Sequence, residues 1–180
     1  MTTDERADAA SDGAGTRSIP AGTGSEREML EAWLDFHRAT LAAKCAGLDD
    51  SGLRAAAAPP SQLTLLGLLR HMTDVERHWF RRVIGAEELA PLYFTAEAPD
   101  DDFVVGEGDT GPATLAAWHE EVAAARRTAR SRELEETGTH PRRGTTHSLR
   151  WVHLHMIEEY ARHNGHADLL RERIDGATGV

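Results

Sequence analysis

The sequence predicts an all-α fold: a bundle of four long helices, with one long irregular segment between the second and the third. Three observations predict it. Apolar residues recur at three- and four-residue steps in four separate stretches. Capping and stop signals bracket those stretches. No run alternates apolar and polar residues convincingly enough to read as a strand. A chain of 180 residues with 40% hydrophobic content holds one domain plus some excess. The excess is Met1 to Gly24, where Gly, Ala, Ser, Thr and acidic residues leave almost nothing to bury. That tail is expected to be disordered or loosely packed, with residues 25–180 forming the bundle.

The first helix opens at Ser25, which forms a capping box with Glu28. Met29, Leu30, Trp33, Leu34, Phe36, His37 and Leu41 make its apolar face, with His37 at the boundary of that face. Gly47 closes it. A connector follows in which Pro59 and Pro60 block helix continuation.

The second helix runs from about Leu63 to Ile84, capped by Ser61 or Thr64 and stopped at Gly85. Leu65, Leu66, Leu68, Leu69, Met72, Val75, Trp79, Phe80 and Val83 form its apolar set; His71 and His78 lie seven residues apart on one face. Glu76, Arg77, Arg81 and Arg82 read most simply as a solvated face.

The segment from Gly85 to Thr110 is too apolar for plain disorder and too irregular for a helix. It is expected to form a partly packed lid with Asp100 to Asp102 exposed. Gly106 to Gly111 matches a dinucleotide fingerprint by letter, but without a strand–helix setting it reads as loop and helix start.

The third helix spans about Pro112 to Arg132 and carries the weakest stripe: Leu115, Trp118, Val122 and Ala125. A polar connector leads to a cap at Thr146 or Ser148. The fourth helix then runs from Leu149 to Ile174, its apolar positions being Leu149, Val152, Met156, Ile157, Tyr160, Ala161, Leu169 and Leu170. Each helix carries one tryptophan (Trp33, Trp79, Trp118, Trp151), read as packing.

Charge and composition exclude several functions. The net charge of −10 repels nucleic acid and anionic lipid. No apolar run is long enough to span a membrane, and the acidic N-terminus lacks the apolar segment of a signal peptide. Cys45 is the only cysteine, which removes intramolecular disulfides and thiolate zinc clusters and suits a cytoplasmic protein. Only Lys44 lies near enough in sequence to activate it.

Ten histidines are many for this length, and the informative ones sit on the fourth helix. His155, Glu159 and His163 follow one another at four-residue steps, about 40° apart around the helix axis. A core-facing stripe excludes imidazole and carboxylate unless something satisfies them. Glu159 and His163 can supply two ligands of one ion, and a third must come from a facing helix; His71, beside Leu68 and Met72, is the best placed. His155 is the runner-up ligand, and His166 lies on the flank. Asp168 could orient His163 or His166, or pair at the surface with Arg171 or Arg162. By spacing alone the bland alternative is an exposed Glu–His pair and a core-edge His71. The coincidence of all three residues on core-facing sides of separate helices puts a shared ion level with that alternative and does not decide between them.

Two motifs carry a family resemblance. The stretch HMIEEYARHNGHADLLRERIDGATG resembles the last-helix signature of the DinB/YfiT-like metalloenzyme superfamily, and LLRHMTDVERHWFRRV resembles its second-helix motif. PLYF with the acidic DDDF is similar to its middle loop. The resemblance covers roughly Glu26 to Gly179 and is closest to a largely actinobacterial group related to mycothiol-dependent maleylpyruvate isomerase. It implies an up-down-down-up four-helix bundle, often dimeric. It also implies a divalent ion, commonly zinc or nickel, held by His71, Glu159 and His163; many relatives carry histidine where Glu159 stands. The reaction implied is thiol-dependent S-transfer or isomerisation of small electrophiles, with mycothiol the thiol that an arginine-rich actinobacterial chain would use. Two other uses remain open: a protein that binds a small molecule or metal without turnover, and a hydrolase that activates water on the same ion. A purely structural helical dimer with a vestigial triad is the third.

Overall fold

In the computed structural model, residues 17–179 are described. Residues 1–16 of the expected N-terminal tail lie outside them. The described part of that tail is irregular, and the Arg17 guanidinium lies 5.1 Å from the centre of the Phe36 ring.

The chain is mostly helical, with a small two-strand sheet. Helix α1 spans Glu26–Cys45. Ser25 caps it reciprocally with Glu28, as the capping box predicts. A four-residue helix, α2 (Asp50–Leu53), interrupts the connector. Helix α3 (Leu65–Glu76) is capped by Thr64, whose hydroxyl accepts the Gly67 N–H at 2.9 Å. At Arg77 the helix widens into a π-helical segment, Arg77–Ile84, which the 3.6-residue period did not foretell. Its end is marked by the Gly85 N–H bonding back five residues, to the Phe80 carbonyl at 2.9 Å. Such widened turns recur at functional sites because they re-aim side chains.

Helix α4 spans Gly111–Arg130 with Thr110 as its cap and Pro112 in its first turn. Helix α5, Leu149–Asp175, is capped by Ser148 and ends at Gly176, whose φ of 78° is the left-handed stop. Helix α1 packs on α5, α3 with its π segment packs on α4, and α3 also contacts α5. Leu34, Leu41, Leu65, Leu66, Met72, Phe80, Leu149, Met156 and Tyr160 are completely or almost completely buried between them. The fourth-helix stripe is narrower than its period suggested, because Leu169 is 59% exposed and Ala161 also faces outward. Trp79 and Trp118 are buried, whereas Trp33 and Trp151 are about 40% exposed.

The polar connector before α5 holds the sheet that the sequence reading lacked. Strands β1 (Thr137–Thr139) and β2 (Thr146–Ser148) pair antiparallel, with Gly138 opposite His147. Three residues per strand, with no large apolar side chain, leave no alternation to detect. The hairpin docks on the π segment through Gly138, where a Cβ would stand 1.9 Å from the Val83 carbonyl oxygen. No larger residue fits there.

The 85–110 segment is tied down more firmly than a lid. The Asp74 carboxylate accepts the backbone N–H groups of Leu92 and Tyr93 at 2.7 and 2.8 Å. Arg70 lies over the Tyr93 ring and pairs with Asp109 at 2.6 Å. A 3₁₀ turn, Asp101–Phe103, presses on α3 so closely that a Cβ on Gly67 would meet the Phe103 carbonyl at 2.6 Å. That approach turns Asp102 inward to 5% exposure; of the acidic triplet expected at the surface, only Asp100 and Asp101 are exposed.

Candidate metal centre

His71 projects from the middle of α3 and is fixed on both sides by the 3₁₀ turn. The Phe103 ring stacks on the imidazole at 4.2 Å between centroids. The Asp102 carboxylate lies 2.8 Å from Nδ1. Accepting a proton there leaves Nε2 as the bare lone pair, and Nε2 is buried with no hydrogen-bond partner. A carboxylate behind an imidazole is the arrangement that sets the tautomer and basicity of a metal-binding histidine.

Glu159 and His163 reach the same point from α5. The ligand atoms of His71, Glu159 and His163 all lie within 4.8 Å of one another. The His71 and His163 rings meet edge to face at 4.7 Å. His163 Nε2 stands 3.4 Å from a Glu159 oxygen. Two ligands bound at about 2.1 Å to one tetrahedral ion are separated by about 3.4 Å, so this pair needs almost no movement. The hydrogen bond from His163, opposed by burial, holds the Glu159 carboxyl below its usual range, so it is ionised at neutral pH.

On its other side, His163 Nδ1 lies 3.3 Å from His166 Nδ1. His166 is therefore the residue that orients His163. Asp168 does not: it pairs with Lys44 at 2.7 Å. His155, the runner-up, sits 3.7 Å from Glu159 on the far side and groups with Glu158 rather than with His71. Two imidazoles, one ionised carboxylate and an orphaned buried nitrogen make a set that could hold a divalent cation with a coordination position left over. Cys45 could not join it, because burial pushes its thiol up to about 12 and leaves it neutral.

His71, Asp102 and Glu159 of the centre line a cleft of about 880 Å³. Trp79, Trp151 and Phe94 give it an aromatic wall, the two indoles 5.0 Å apart. Arg82, Arg142 and Arg143 line its outer end. Between them, His140 and His78 approach Nε2 to Nε2 at 3.2 Å. His140 Nδ1 accepts the backbone N–H groups of Arg142 and Arg143, so its proton sits on Nε2 and points at His78. Burial, and then the surrounding His140, Arg82 and Arg143, push His78 down to about 3, so it stays neutral.

Sequence reasoning brought the three ligand candidates together but missed Asp102 and the basic end. The unmet need of a buried histidine for an acceptor would have pointed to a nearby loop carboxylate. The run His140-Pro141-Arg142-Arg143 was legible as a positive cluster in an acidic chain. Glu76, read as solvated, is fully buried. It accepts Arg38 through both oxygens at 2.7 Å and the Tyr160 hydroxyl at 2.8 Å.

Comparison with known proteins bears on the fold and on the family. The crystal structure of a conserved protein from Enterococcus faecalis superposes with a TM-score of 0.57 at 13% identity, covering 86% of this chain and all of its own. That similarity concerns the fold alone. No curated protein matches the chain. The sequence profile described as mycothiol-S-transferase matches residues 29–176, from the first turn of α1 to the cap of α5. The chain therefore belongs to the mycothiol-S-transferase family of DinB/YfiT-like proteins.

Proposed function

We propose that this protein is a divalent-metal-dependent S-transferase that joins a mycothiol-type thiol to small electrophiles, with His71, Glu159 and His163 holding the ion. In the same reading α1, α3 with its π segment, α4 and α5 form an up-down-down-up four-helix bundle, and the ligand set suits zinc or nickel. The observation that carries the proposal is the unpartnered Nε2 of His71, aimed at Glu159 and His163 while Asp102 occupies Nδ1. A bound divalent ion supplies positive charge that keeps a thiol deprotonated at neutral pH.

The chain's own residues do the rest. Asp102 and Phe103 hold the His71 ring in one orientation. Glu159 contributes one negative charge against two neutral imidazoles, leaving a net positive centre that favours an anionic sulfur. Trp79, Trp151 and Phe94 line the space beside it with aromatic surface. In the transfer, the thiol proton leaves to solvent, a sulfur–carbon bond forms, and the leaving group departs with its bonding electron pair.

The test is transfer of mycothiol to a chlorinated fluorogenic electrophile by native protein, chelator-stripped protein and His71→Ala. Activity in the native protein, lost on stripping, restored by zinc or nickel and absent from His71→Ala, is the expected result. Equal activity in all preparations would overturn the metal-dependent reading. Tight thiol binding without product would favour a sequestering protein instead.

A further inference from the structure

The outer end of the cleft holds more positive charge than the reaction above uses. Arg82 and Arg143 have no carboxylate partner among the described residues, and neither has Arg142. Arg38, Arg70, Arg77, Arg81, Arg150 and Arg171 pair with acids, and other arginines without an acid, such as Arg54 and Arg173, bond to backbone carbonyls away from the cleft; what distinguishes Arg82, Arg142 and Arg143 is that all three line one cleft. The carboxylates that share the cleft are already engaged. Asp74 accepts two backbone N–H groups, Asp102 holds His71, and Glu159 contacts His163.

Arg142 and Arg143 are held at the rim by His140, whose ring accepts both of their backbone N–H groups. The hairpin that carries them is seated on the π segment by Gly138, and that segment carries Arg82. Two elements absent from a plain helical reading thus place three guanidinium groups around one opening. The neutral state of His78 fits an environment already crowded with positive charge.

We propose that the electrophile bears an anionic group, a carboxylate or its equivalent, which Arg82, Arg142 and Arg143 receive while its apolar body lies along Trp79, Trp151 and Phe94. This rests on the S-transfer reading and names its substrate class. Mycothiol is a cysteinyl sugar conjugate without an acid group, so the anion belongs to the second substrate. Guanidinium forks bind carboxylates in paired, charge-assisted hydrogen bonds. The aromatic wall then sets the distance from that anchor to the reacting carbon.

Bromomethylbenzoate and its methyl ester test the proposal, because they share a reactive centre and differ in charge. With mycothiol, the sulfur replaces bromide, which leaves with the carbon–bromine electron pair; the proton goes to solvent. We expect the native protein to prefer the acid in kcat/KM by about tenfold or more, the scale of one hydrogen bond to a charged group. The acid-to-ester ratio should fall towards unity in Arg142→Gln/Arg143→Gln, whose exposed positions carry little risk to folding, and in Arg82→Gln. A second readout is binding of unreactive phenylpropionate, followed by tryptophan fluorescence in native and double-variant protein. Transfer with no acid preference, or a preference unchanged in both variants, overturns the inference and leaves the S-transfer reading standing. Arginine-dependent phenylpropionate binding without any transfer supports the anion site and overturns the S-transfer reading instead.

Discussion

Two polar clusters lie a turn or so apart on the same helices, and they are built oppositely. In the first, each long helix contributes one residue: Arg38 from α1, Glu76 from α3, Trp118 from α4 and Tyr160 from α5. The Trp118 N–H donates to the Tyr160 hydroxyl at 2.9 Å, that hydroxyl donates to Glu76, and Arg38 closes the network. Its charge is balanced, and its connections lock the helices in register. In the second cluster, His71 and Glu159 sit five residues and one residue away from Glu76 and Tyr160. Yet the His71 Nε2 and one Asp102 oxygen are buried and unpartnered. An unpaired buried polar atom costs on the order of 1–3 kcal/mol. A closed network and an open one, side by side, separate what holds the helices together from what, on the proposed function, takes a ligand.

The largest effect should come from breaking the closed network. Glu76→Ala removes the buried partner of Arg38 and leaves it only the half-exposed Asp35, at 2.9 Å, and urea unfolding should lose about 3–5 kcal/mol. A loss below about 1 kcal/mol would mean that water reaches Arg38 and the network is not sealed.

A somewhat smaller effect should come from acid. His153 packs beside this network at 2% exposure with neither ring nitrogen bonded. Burial, and then Arg38, push it down from 6.5 to about 4. The unfolded chain therefore binds this proton first. The corresponding stability is fully present above 6.5 and is lost as pH falls towards 4, by on the order of 3 kcal/mol. His153→Phe should flatten that part of the stability–pH curve, measured from urea midpoints between about pH 7 and pH 4. An unchanged slope would assign the acid sensitivity to other groups.

The helices were legible because four long amphipathic patterns with clear caps need little tertiary information; Ser25, Thr64, Thr110 and Ser148 each cap as their side chains allow. The hairpin was not, because Thr137–Thr139 and Thr146–Ser148 derive their pairing from docking on Val83 rather than from their own pattern. The same limit hid the π segment, since an apolar stripe does not reveal an extra residue per turn. The family resemblance joined His71 to Glu159 and His163, which could be read as a pair because helical spacing and core-facing position are local facts. Asp102 and Glu76 could not: an acid in a DDDF triplet or a charged helix run reads as solvent-facing until its buried partner is known.

The most direct test of the open cluster is calorimetric titration of zinc into chelator-stripped native protein and His71→Ala. The account predicts one ion bound per native chain, released by a chelator with a fall in melting temperature, and no saturable binding in His71→Ala. Equal binding by the two proteins, or none by either, would contradict it.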